Sequence, residues 1–101
     1  NGGFNAYPAE IEAMMLEHQA VGQVAVIGVP DERLGEVAAA FVVPAPTGPP
    51  DLEELGEWCK KQMANYKVPR YFWVVEELPL NPSNKVLKTE LRDMATELLA
   101  R

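Results

Sequence analysis

Apolar residues recur along this chain with two different periods, and the switches between them mark its elements. Ile11 stands three and four residues from Met14 and Met15, the spacing of one helix face, and Pro8 suits a first helical turn. Residues 24–29 are almost continuously apolar and read as a buried strand. Pro30-Asp31-Glu32 reads as a turn, and residues 37–43 read as a second strand, antiparallel to the first because the connection is short. Residues 44–50 form a surface loop dense in Pro and Gly. Asp51 with Glu54 three residues later resembles a capping box, and Leu52, Leu55, Cys59 and Met63 follow as a helical stripe. Residues 71–75 read as a third strand. Leu91, Met94, Ala95 and Leu98 then predict a last helix from about Lys88 to Leu99. No repeat interrupts the pattern. It predicts an α+β fold: a small sheet of about three strands, largely antiparallel, with helices packed on it.

Length makes this a single domain with one modest core: residues 1–101. No stretch approaches the roughly 20 apolar residues of a membrane span, and no signal-peptide pattern opens the chain, so a cytoplasmic protein is expected. The single cysteine, Cys59, excludes an internal disulfide and a cysteine-cluster metal site. Its helical setting predicts a buried thiol, and nothing pairs it with His18, the one histidine. The net charge of −6 is uneven. Residues 1–59 hold ten acids and one base, and residues 60–101 hold eight bases and five acids. Such an acidic chain is a poor nucleic-acid binder, while its second half suits nucleotide phosphates.

The candidate chemistry centres on Pro79-Leu80-Asn81-Pro82-Ser83-Asn84-Lys85-Val86-Leu87-Lys88. It places Lys85 on a loop stiffened by two prolines, just before the last helix. A lysine held this way is a compact point charge suited to a phosphate or a carboxylate. Lys88 reads as a surface or support residue. Glu10 and Glu12, two apart on a helix, face different ways; Glu10 reads as a structural contact and Glu12 as solvent-facing. No Gly-rich phosphate loop and no acidic magnesium-ligand set is evident.

Four segments together resemble the C-terminal domain of the adenylate-forming enzymes, which include acyl- and aryl-CoA synthetases, peptide-synthetase adenylation domains and luciferases. They are Gly2-Gly3-Phe4-Asn5-Ala6-Tyr7-Pro8-Ala9-Glu10-Ile11-Glu12, Val26-Ile27-Gly28-Val29-Pro30-Asp31-Glu32-Arg33-Leu34-Gly35-Glu36, Tyr66-Lys67-Val68-Pro69-Arg70 and the Lys85 segment. The opening string looks like that of a CoA ligase rather than of a peptide synthetase. The family commonly has Gly before its lysine where this chain has Asn84, a residue that tolerates positive φ.

The resemblance implies an ATP-dependent, AMP-forming acid–CoA ligase. Lys85 would serve the adenylation step. Gly2 and Gly3 would line the pantetheine path, and Tyr66, Lys67 and Arg70 would approach the CoA nucleotide. Mg²⁺, ATP and the carboxylic acid would be held mainly by a larger N-terminal domain, the partner of this one. The hinge would fall just before Asn1, and the chain alone would be inactive. Two other readings are an adenylation domain serving a carrier protein and a non-catalytic interaction module of the same fold.

Overall fold

In a computed structural model, the structure describes residues 8–33, 35–63 and 67–100. Along the chain run α1 (Pro8–Met15), β1 (Val21–Asp31), β2 (Gly35–Pro44), α2 (Leu52–Gln62), β3 (Tyr71–Val74) and α3 (Lys88–Leu99). The expected α+β layering is present. Strand order in the sheet is β1-β2-β3. β1 and β2 pair antiparallel from Val21↔Pro44 to Asp31↔Gly35, and Gly35 takes the positive φ of 85° that the tight connection needs. β3 pairs with β2 in parallel, Ala39↔Tyr71 to Val42↔Val74, because the chain crosses back through α2 before β3 begins. The sheet is therefore mixed.

β2 is central and covered on both faces, which is why it reads as an unbroken apolar run. Ala38, Ala40 and Val42 face one cluster with Val24 and Val26 of β1, Ile11 and Met15 of α1, and Leu55 and Cys59 of α2. Val37, Ala39 and Phe41 face the other, with Ala25, Ile27 and Val29 of β1, Leu78, and Leu91 and Ala95 of α3. So α1 and α2 cover one side of the sheet and α3 covers the other. The single modest core expected from length is divided by the sheet into two.

The ends of α2 follow its charge pattern. Asp51 caps α2 by accepting from the N–H groups of Glu53 (2.9 Å) and Glu54 (3.3 Å). Glu54 does not complete the expected box; its carboxylate turns to His18 Nε2 at 3.0 Å. Acids in the first turn of α2 and Lys60 and Lys61 in the last suit the helix dipole. Pro30, read as a turn residue, lies inside β1. Val26 turns its N–H and C=O away from β2, and Pro30 shares that parity on an edge strand, so its missing N–H costs no ladder bond.

Candidate functional site

The Lys85 segment is a small hairpin that holds itself. An isolated antiparallel bridge joins Leu80 and Val86, and Leu87 N–H donates to Pro79 O at 2.9 Å across its base. At the tip, Asn81 N–H donates to Lys85 O and Asn84 N–H to Asn81 O, each at 2.9 Å. The Asn81 side chain accepts from Ser83 N–H at 2.8 Å and from Lys85 N–H at 3.0 Å. Local Asx bonding of this kind explains why a Pro-, Asn- and Ser-rich string makes an ordered loop. Asn84 has φ of +65°, the left-handed conformation for which the family's usual glycine is suited. Asn84 thus bears the positive φ that its side chain was expected to tolerate.

Lys85 itself is exposed, and its ammonium has no hydrogen-bond or ion-pair partner among the described residues. Its backbone is fixed at both N–H and C=O. Behind it, Leu78 and Leu91 are buried in the α3-side cluster and Val86 packs against it. The result is a solvent-facing cation on a braced support.

The other predicted residues divide. Gly2, Gly3 and Tyr66 lie outside the described residues. Lys67 has only 17% side-chain exposure and pairs with Glu10 at 3.0 Å, which gives Glu10 the structural contact expected of it. Val68, next to Lys67, packs on the α1/α2 side of the sheet. Arg70 is exposed, and its N–H donates to Ala38 O at 2.9 Å as the chain enters β3. Lys67 and Lys85 therefore stand on opposite sides of the sheet, and the structure does not bring them into one site.

Glu12 is not solvent-facing as expected. Its Oε2 accepts from Val26 N–H at 2.8 Å and from Lys88 Nζ at 3.1 Å. Lys88 Nζ also donates to Val26 O at 2.9 Å. Spacing on a helix separates Glu10 from Glu12 but says nothing of what each meets. The one hint in the sequence was Lys88, a cation in the first turn of a helix where it opposes the dipole; it does not name the partner.

His18 and Cys59 make no catalytic pair. Ala20 N–H donates to His18 Nδ1 at 3.0 Å, so Nε2 carries the proton donated to Glu54, and the ring meets Trp58 edge-on at 5.1 Å. Cys59 is fully buried; burial first, and the Glu54 charge second, push its thiol up to about 11. A thiol so placed is inert. Among the described residues, no group of three or more His, Cys, Asp or Glu side chains could hold a metal ion, and no helix is long and apolar enough to cross a membrane.

Residues 10–85 match the model of the AMP-binding enzyme C-terminal domain. A propanoyl:CoA ligase of Rhodococcus jostii, whose acyl group carries a methyl-dioxo-octahydroindene ring system, is 48% identical over 93 residues, which is 92% of this chain and 18% of that protein. A 2-succinylbenzoate–CoA ligase of Bacillus cereus is 44% identical over 98 residues, 97% of this chain and 20% of that protein. Among solved structures, apo MatB from Rhodopseudomonas palustris superposes with a TM-score of 0.88 at 36% identity, covering 96% of this chain and 19% of that one. The chain spans about a fifth of the length of these relatives. With the matched segment reaching from α1 to Lys85, the chain belongs to the AMP-binding enzyme C-terminal domain family.

Proposed function

We propose that this chain is the C-terminal domain of an ATP-dependent, AMP-forming carboxylic acid–CoA ligase, with Lys85 as the catalytic residue of the adenylation half-reaction. The observation that carries this reading is the unpartnered Lys85 ammonium on a braced, exposed loop, in a chain whose relatives include CoA ligases. In adenylation a carboxylate oxygen attacks the α-phosphate of ATP and pyrophosphate leaves. Negative charge gathers where the two anions meet. A cation that touches both offsets their repulsion and holds them in line. Lys85 acts as a charge and takes no proton. Mg²⁺, the nucleotide and the acid belong to the larger part of the protein in this reading.

The second half-reaction uses CoA. Gly2 and Gly3 would border the pantetheine, with Tyr66, Lys67 and Arg70 toward the nucleotide. For Lys67 this means sharing or leaving Glu10, an exposed carboxylate worth little as a partner. The placement of Lys67 and Lys85 on opposite sides of the sheet supports a rotation that offers a different side of the domain to each step. A cytoplasmic location, where ATP and CoA are both soluble substrates, goes with this reading.

The test is single-turnover measurement of each half-reaction in the full-length ligase. Lys85→Ala is expected to slow adenylation on the order of 10²-fold or more. Thioester formation from supplied acyl-adenylate is expected to persist. Equal loss in both steps, or no loss in adenylation, refutes the role.

A further inference from the structure

Three groups from distant parts of the chain meet at the edge of β1 that faces away from β2. Glu12 comes from α1 on one side of the sheet, Lys88 from α3 on the other, and Val26 from the strand between them. Glu12 Oε2 accepts from Val26 N–H (2.8 Å), Lys88 Nζ donates to Val26 O (2.9 Å), and the two side chains close on each other at 3.1 Å. Both charged side chains are partly buried, Glu12 at 24% and Lys88 at 35% exposure, so the bonds are shielded and charge-assisted. The two helix layers are tied together across the strand edge.

The tie falls at a particular place. Lys88 is the first residue of α3, and the N-cap Leu87 offers that helix no side-chain cap. For helix stability alone a lysine there is unfavourable. Leu87 N–H closes the base of the Lys85 hairpin on Pro79 O. Lys88 therefore adjoins the base of the loop and stands three residues from Lys85.

We propose that Lys88, held by Glu12 and Val26, is a positioning residue that fixes the aim of Lys85 for adenylation. This rests on the catalytic reading of Lys85. Without the tie, only the apolar packing of Leu78, Val86 and Leu91 holds the start of α3 and the hairpin base against β1. Displacement of about 1 Å at a reacting group costs on the order of 10²-fold in the extreme. The loop's own hydrogen bonds remain, so a smaller loss is expected here.

The experiment uses the full-length ligase and single-turnover rates for both half-reactions. Lys88→Met, which keeps the stem and removes the charge, is expected to lower the adenylation rate about tenfold. The KM values for ATP and acid, and the rate of thioester formation from supplied acyl-adenylate, are expected to hold. Lys88→Arg, which can still donate to both oxygens, is expected to restore most of the loss. In a Lys85→Ala background, Lys88→Met is expected to add nothing, because its effect passes through Lys85. Glu12→Gln keeps an acceptor for Val26 N–H and loses the charge, and is expected to give a milder loss with the same selectivity; it serves if Lys88→Met does not fold. Loss spread equally over both steps, a full additional loss in the Lys85→Ala background, or no loss at all overturns the positioning role while leaving Lys85 standing. If Lys85→Ala itself leaves adenylation intact, both assignments fall.

Discussion

Asn84 offers a way to ask whether backbone conformation aims Lys85. Its φ is +65°, and it directly precedes the lysine. A left-handed conformation costs an ordinary L-residue roughly 1–2 kcal/mol, and β-branched residues more. Asn bears it more easily, and Gly without penalty. Asn84→Val is therefore expected to introduce about 1–3 kcal/mol of strain. That strain has two outlets. Retained in the folded loop, it lowers stability, by about 4–8 °C in melting temperature for each kcal/mol in a domain of this size. Relieved by turning the tip, it misdirects the lysine, and a loss of 1–3 kcal/mol corresponds to a rate lower by about fivefold to 150-fold. The Asn81 bonds to Ser83 and Lys85 resist the second outlet, so both effects are expected together. Melting of the 101-residue chain measures the first and single-turnover adenylation in the full ligase measures the second. Asn84→Gly is expected to remain close to the parent in both. An Asn84→Val variant unchanged in both stability and adenylation refutes the claim that this φ matters.

Leu91→Ala is expected to cost about 2–5 kcal/mol, since Leu91 is fully buried on the inner face of α3; urea unfolding would report it. Stability is expected to fall between pH 9 and about pH 11. The folded-state thiol of Cys59 is raised to about 11 from 9.0, so its contribution is complete below pH 9 and is lost as pH rises through the folded value. Denaturant midpoints at pH 8 and pH 11 should separate more for the parent than for Cys59→Ala, and equal separations would count against the buried, neutral thiol.

What the sequence made legible follows from where one physical effect acts alone. The last helix, from Lys88 to Leu99, is found where its stripe placed it, because Leu91 and Ala95 have a single apolar surface to meet. The left-handed tolerance of Asn84 was likewise readable, being a property of one residue. Strand ends were harder. β1 extends to Val21 and Asp31, past the apolar run at 24–29, since an edge strand admits Pro30 where no ladder bond is needed. The parallel pairing of β3 depends on how the chain crosses back, which no local pattern states. Glu12 was misread for the same reason: its partners, Val26 and Lys88, are 14 and 76 residues away.

The bonds at Val26 bear on the fate of the chain in a crowded solution. Among the described residues β1 is a long, apolar strand at the border of the sheet, the kind of edge on which a second chain can add itself and begin an aggregate. At its midpoint the outward N–H and C=O are already taken by a carboxylate and an ammonium, and Pro30 offers an incoming strand no donor. An approaching chain would have to displace a partly buried ion pair to gain a single pair of backbone bonds. The lysine that opens α3 thus also defends the border of the sheet, and protein lacking it should be harder to keep in solution even where its fold survives.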